Sequence, residues 1–430
     1  MQRVEIAHQC MRLLSQGMQH IEDGPRLPAA NLLILWSPAR IQMCRKEGYR
    51  TTFPGHLNLE QRFRQHRQAI VLCLKNRQTA QPGDMKFGVG LPKDQAHPHL
   101  LRQQLGVGAT IGFQERHYIG PLLADHGGEV LVTCGAGEAM LDVLLCYVNP
   151  GDRVLLTNPT YNGMAQRVRL ADGVQVFTDL VEERGWHLDL AALPTQARGC
   201  KVLFVMSPVM PVGTVLSHAE TEALADAARA NDTLLLFNAS LDKIVYDGRR
   251  VISPATLPGM RERTIIVGSV SKNYNMMGWR IGWAVGPREL LKPVHDVHIF
   301  NTIMPSGLAQ AGATAALRGS QEGVAASVAR YERNRDVLVE GLSAIAGLRV
   351  VVPEGGYYCL ANISALGVPS TTFCQQLLAE EEVAITPMVA WGSDTFGHQH
   401  VRFIFTNEPE ERLREAAGRI ARFVQRHYAV

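Results

Sequence analysis

The chain has 430 residues, 46% of them hydrophobic, with 43 basic against 40 acidic side chains for a net charge of +3. That length accommodates two domains with sizeable cores, and the near balance of charge excludes a nucleic-acid or membrane-surface partner chosen by bulk electrostatics. No stretch approaches about 18 uninterrupted apolar residues, and the opening MQRVEIAHQCMRLL lacks a secretory apolar core, so no membrane span and a cytoplasmic protein are expected.

Residues 1–95 form a segment of uncertain structure, where a helical patch at 59–75 alternates with loops marked by Gly24-Pro25, Pro54-Gly55 and Pro82-Gly83. They are assigned to small-domain and dimer contacts. From about 129 the pattern becomes an alternation of strand and helix. Strands are expected at 129–133, 152–156, 202–206, 234–237 and 264–267, with helices at 138–148 and 219–230. Such alternation predicts a mixed, largely parallel sheet covered by helices, an α/β domain over 96–300. Beyond Asn301 a long helical region at 325–344, short strands at 348–352, 358–361 and 401–406, and a terminal helix at 410–427 predict a smaller α+β domain over 301–430. The 8 cysteines (Cys10, Cys44, Cys73, Cys134, Cys146, Cys200, Cys359, Cys374) form no CxxC pair and no His/Cys cluster. Free thiols in a reducing compartment are expected, with no metal site.

Chemistry concentrates between 268 and 282, which reads Gly268-Ser269-Val270-Ser271-Lys272-Asn273-Tyr274-Asn275-Met276-Met277-Gly278-Trp279-Arg280-Ile281-Gly282. An amine at a strand end can form a Schiff base with a carbonyl compound. Ser269, Ser271 and Arg280 offer two hydroxyls and a planar fork, which suit a phosphate. Upstream, Gly135-Ala136-Gly137 stands between a strand and a helix, where backbone amides and the helix dipole attract an anion. A dinucleotide loop is excluded there. Met140 occupies its third glycine position, and the next strand leads into Thr157-Asn158 rather than an acidic ribose partner.

These motifs resemble those of the class I/II aminotransferases, which are fold-type I pyridoxal-phosphate enzymes. The resemblance covers about residues 100–430. It implies pyridoxal 5'-phosphate as cofactor, bound through Lys272, with the phosphate at Gly135, Ala136, Gly137, Ser269, Ser271 and Arg280. It further implies that Tyr161, in NPGDRVLLTNPTYNG, stacks on the ring, and that Arg402, in VRFIFT, pairs with the substrate α-carboxylate. An amino-acid substrate and a homodimer with shared active sites are implied as well. Tyr118 and Tyr49 are candidates to reach a neighbouring subunit's phosphate.

Three positions depart from the family pattern. Its Asn-Pro-x-Asn-Pro-x-Gly turn reads Ser207-Pro208-Val209-Met210-Pro211-Val212-Gly213, so Met210 replaces an asparagine that serves the ring oxygen and the carboxylate. The Asp-Glu-x-Tyr motif reads Asn238-Ala239-Ser240-Leu241, so Asn238 replaces the carboxylate beside the ring nitrogen and Leu241 a tuning hydroxyl. Sliding Asp242 into the first role would break the ungapped register to Lys272. An amide gives no charge stabilisation to a protonated pyridine. The expected function is an aminotransferase-like reaction on an amino acid. The alternative is a non-transaminating pyridoxal-phosphate reaction, namely β- or γ-elimination, replacement or cyclisation. A regulator is the weakest reading, because the first 95 residues contain no clear helix-turn-helix.

Overall fold

The computed structural model describes residues 128–428. The expected 59–75 helix, Tyr49, Tyr118, Cys10, Cys44 and Cys73 lie outside them. Eight strands form the larger sheet: β1 (Val130–Thr133), β2 (Arg153–Asn158), β3 (Val174–Val181), β4 (His187–Leu188), β5 (Cys200–Met206), β6 (Leu234–Asn238), β7 (Thr264–Ser269) and β8 (Gly282–Val285). Their order is β1-β8-β7-β6-β5-β2-β3-β4. The strands from β7 across to β3 run parallel, while β8 is antiparallel to both its neighbours and β4 is antiparallel to β3.

Alternation along the central strands sorts side chains into two cores. Val202, Phe204, Leu234, Leu236, Ile265 and Val267 face one core. Leu203, Val205, Leu235, Phe237 and Ile266 face the other. Five longer helices accompany this sheet: α1 (Ala136–Tyr147), α2 (Asn162–Leu170), α3 (His218–Ala230), α4 (Arg288–Asn301) and α5 (Gly307–Arg318). The start of α3 is fixed by a capping box, in which Ser217 accepts from Glu220 N and the Glu220 carboxylate accepts from Ser217 N.

A second, four-stranded sheet follows, built of β9 (Arg349–Val350), β10 (Tyr358–Asn362), β11 (Thr386–Pro387) and β12 (His400–Ile404) in the order β11-β12-β10-β9. With it go α6 (Glu322–Ser343), α7 (Ser370–Glu381) and α8 (Glu410–His427). On α8, Leu413, Ala417, Ile420, Phe423 and Val424 recur at helical spacing and are buried, which lays that stripe against α6 and α7. The mixed α/β architecture is therefore as the sequence predicts. Among the described residues, bounds of the expected elements shift by a few residues at most; strands β3, β4, β8 and β11 and helices α2, α4, α5 and α7 add to them.

One carboxylate joins the two sheets. Glu182, in the turn between β3 and β4, accepts from Arg349 Nη2 at 2.5 Å and from Asn362 Nδ2 at 2.9 Å, with His400 Nε2 at 3.3 Å. Burial alone would raise its pKa, but hydrogen bonds from His400, Arg349 and Asn362 outweigh burial and hold it down at about 2. A depressed carboxylate contributes stability that is present above its unfolded value and lost as pH falls through the folded one. Glu182→Gln should therefore destabilise the protein by about 2 kcal/mol near neutral pH. Denaturant unfolding of both proteins should show that gap closing as pH falls from about 4.5 towards 2. A gap independent of pH would mean that the charge is not what joins the sheets.

Candidate active site

The carboxyl ends of β1, β2, β5, β6 and β7 converge, and every candidate residue from the larger sheet sits on the segments that leave them. β7 is buried along its whole length and passes directly into a helical turn, Val270–Asn273, that carries Lys272. Two side chains fix this turn. Asn273 Nδ2 donates to Asp242 Oδ1 at 2.6 Å, and the Tyr357 hydroxyl donates to the Lys272 carbonyl at 2.7 Å. Lys272 Nζ lies 3.3 Å from Met277 Sδ and 5.5 Å from the Tyr357 ring centroid. Its pKa is lowered, first by burial and then by the charges of Arg280 and Arg402. A lysine whose ammonium is disfavoured is one readied to act as an amine.

Beside it the structure builds an anion cradle. Gly135 caps α1 at φ +87°, and a Cβ there would fall 2.3 Å from Arg280 Nη2. The backbone conformation thus requires glycine, and any side chain there would also push the Arg280 guanidinium aside. Arg280 Nη1 donates to Met277 O at 2.8 Å and Nη2 to Cys134 O at 3.3 Å, with Ser271 Oγ 3.4 Å from Nη1. Gly282 permits the close approach of β8, since a Cβ would lie 2.4 Å from Ala136 N. Ser269 and Ser271 are both buried at the same strand end. Free first-turn amides, a glycine-lined loop and a guanidinium fit a phosphate monoester. A cavity of about 530 Å³ opens alongside, lined by Cys134, Gly137, Glu138, Arg167 and Arg280 among others.

Across the site, Arg402 stands in β12 opposite Leu360, with Tyr358 as its same-face diagonal neighbour. Its guanidinium carbon is 4.2 Å from the Tyr358 ring centroid and 4.6 Å from that of Trp391. Burial lowers its pKa. Tyr161, the N-cap of α2, lies 6.4 Å ring to ring from Trp391 and folds over Gly163.

The substituted positions are all accounted for. Asn238 ends β6 and is buried; its Oδ1 accepts from Ser240 N at 2.9 Å, and its Nδ2 faces Met140 Sδ at 3.7 Å. Leu241 is buried in the core, and Met210 is half-buried against it. Asp242 is fully buried and its pKa is pushed up to about 6 by burial, against the Asn273 hydrogen bond and the nearby Lys243 charge. It braces the lysine turn.

Sequence reasoning did not single out Trp391, Tyr357 or Tyr358, although the runs AITPMVAWG and PEGGYYCLANI contain them. It also missed a buried cluster behind the cradle. There Glu138 accepts from Cys134 N and Thr302 Oγ1, Asp142 accepts from Asn301 Nδ2 at 2.9 Å, and His298 Nδ1 stands 3.5 Å from Asp142. Glu138 and Asp142 share a helix face four residues apart, a signal legible only once α4 is known to supply the histidine.

Comparison with known proteins identifies the family. The family model described as aminotransferase class I and II matches residues 116–420. An aspartate aminotransferase of Rhizobium meliloti (strain 1021) is 35% identical over 309 residues, 68% of this chain and 73% of its own. An LL-diaminopimelate aminotransferase of Moorella thermoacetica is 34% identical over 298 residues, 68% of this chain and 74% of its own. Among solved structures, N-succinyldiaminopimelate aminotransferase from Mycobacterium tuberculosis superposes with a TM-score of 0.68 at 32% identity, covering 82% of this chain and 96% of that one.

Gly135→Ala tests the cradle. The side chain meets both a glycine-only backbone conformation and the Arg280 guanidinium, so we expect a loss of about 1–3 kcal/mol in stability. We expect inorganic phosphate to protect the wild type against thermal unfolding and to leave the variant's melting temperature unchanged. Equal protection of both proteins would place the anion elsewhere.

Proposed function

This chain belongs to the class I and II aminotransferases, and we propose that Lys272, the 135–137 amides, Ser269, Ser271, Arg280 and Arg402 form its working site. It is a pyridoxal-phosphate-dependent, aminotransferase-like enzyme. The observation that carries the site assignment is Lys272 itself, half-buried in the turn after β7 with its ammonium disfavoured, within electrostatic reach of both arginines.

Bound at this site, pyridoxal phosphate would supply an electron-withdrawing ring that makes the α-proton of an amino acid acidic. The chain's own residues do the rest. Lys272 Nζ would hold the cofactor's carbonyl carbon and then carry the α-proton as a base and acid. The first-turn amides of α1, with Ser269, Ser271 and Arg280, would neutralise the phosphate, and Tyr161 would cover the ring. Arg402 would orient the α-carboxylate so that Cα faces the amine.

A second reading is favoured by one observation. The group at the ring-nitrogen position is the amide of Asn238, whose Oδ1 is already engaged by Ser240 N, so no carboxylate charge is offered there. With Met210 and Leu241 also apolar, weaker electron withdrawal suits elimination, replacement or cyclisation on an amino acid with a β or γ leaving group.

Finer aspects form part of the proposal. Ile299, Phe300, Ile303, Met304 and Leu308 are all exposed on the end of α4 and the start of α5, which supports a homodimer. Cys134, Cys146, Cys200, Cys359 and Cys374 are free thiols, which supports a cytoplasmic setting. No described helix is long and apolar enough to cross a membrane. A division near residue 300 into a cofactor domain and a smaller closing domain is part of the proposal, and the presence of two separate sheets supports it.

Borohydride treatment of the holoenzyme should fix a cofactor-sized mass on the peptide bearing Lys272, and Lys272→Ala should lose both the adduct and at least a thousandfold of activity. A label on any other lysine refutes the assignment. Asn238→Asp should increase amino transfer from simple amino acids to a 2-oxo acid, and should reduce ammonia release from a β-substituted amino acid without an acceptor. Wild-type protein that transfers rapidly, with no change in the Asp variant, would remove the second reading.

A further inference from the structure

The guanidinium of Arg402 is held in an unusual way for a half-buried cation. Its Nε is buried without a hydrogen-bond partner among the described residues, while its guanidinium carbon lies 4.2 and 4.6 Å from the Tyr358 and Trp391 ring centroids. Rings attract a cation through their negative faces, and a planar guanidinium gains most when it lies flat against them. Two rings at these distances restrict the guanidinium's orientation and leave its N–H groups for a ligand. The position where the family pattern places a polar asparagine is Met210, whose side chain cannot donate to a carboxylate.

We propose that Trp391 and Tyr358 are positioning residues that clamp Arg402 edge-on to the substrate α-carboxylate, in place of the polar support absent at position 210. Each is anchored independently. Tyr358 lies in β10, one diagonal step from Arg402 in the same sheet. Trp391 lies in the loop before β12, and its carbonyl accepts from Thr160 N at 2.7 Å, beside Tyr161. Ser393 N in the same loop donates to Asn158 Oδ1 at 3.0 Å. The clamp therefore spans both sheets: one jaw rides with β10, and the other is tied to the segment leaving β2. The orphaned Nε is the donor that the arriving carboxylate satisfies, alongside a terminal N–H of the same edge.

This inference rests on the reading of Arg402 as the carboxylate residue, and the experiment separates the two. The proteins are holoenzymes of wild type, Trp391→Met, Tyr358→Leu, Trp391→Phe, Tyr358→Phe and Arg402→Gln. The first measurement is kcat and KM for the best donor among the twenty common amino acids, with pyruvate or 2-oxoglutarate as acceptor. The second is the dissociation constant of that amino acid's α-methyl derivative, which has no removable proton, and of the corresponding α-methyl carboxamide.

We expect Trp391→Met and Tyr358→Leu each to raise KM and the α-methyl dissociation constant about tenfold, to change kcat less than about threefold, and to leave carboxamide binding unaltered. The Phe variants, which keep a ring face, should stay within about threefold of wild type. Trp391→Met fills most of the volume, so a folding defect would show as a loss of carboxamide binding too, and the Tyr358 pair then decides alone. Wild-type affinity in the Met and Leu variants, with affinity lost in Arg402→Gln, overturns the clamp. Wild-type affinity in Arg402→Gln overturns the reading of Arg402 itself.

Discussion

Everything at the centre of this molecule depends on holding one half-buried amine within reach of two cations. Partial burial, Arg280 and Arg402 all act against the ammonium form of Lys272. A residue in that situation is stable only if its backbone cannot move to relieve it. Tyr357 and Asp242 supply that restraint from opposite directions, one on the lysine's own carbonyl and the other on the next side chain. The two arginines are in turn waiting for anions: one stands at a helix N-terminus and the other between two rings. Among the described residues these charges meet no carboxylate, and two anionic groups would complete the arrangement.

The replaced positions are consistent with one another. Where an apolar group stands in for a polar one, as at Met210 and Leu241, it is packed against the core and leaves no stranded donor. Where a polar group remains, as at Asn238, the protein itself satisfies it through Ser240 N. A decaying site would leave unmet hydrogen bonds at these three positions, and among the described residues none of the three has one.

The sequence made the parallel strands legible because they are buried on both faces and read as apolar runs. β3 went unread because VQVFTDLV mixes exposed and buried positions near the sheet's edge, and β8 because GWAV is only four residues long and follows directly on the lysine motif. Lys272, Arg280 and Gly135 were legible because local spacing alone sets their geometry. The ring clamp was not. Tyr358 and Trp391 are far apart in sequence, and only the pairing of β10 with β12, together with the docking of the Trp391 loop on Thr160, brings them onto one side chain. Glu182 was hidden for the same reason, since its three partners lie 167 to 218 residues away.

The hydrogen bond from Tyr357 to the Lys272 carbonyl spans 85 residues of chain. On a ribosome, the segment that must trap the cofactor is therefore made well before the residue that steadies it. At about 5–20 residues per second, the lysine turn spends roughly 4–17 s emerging without that restraint. A nascent chain halted between these two points would present the amine with only the Asp242–Asn273 hydrogen bond to steady its turn.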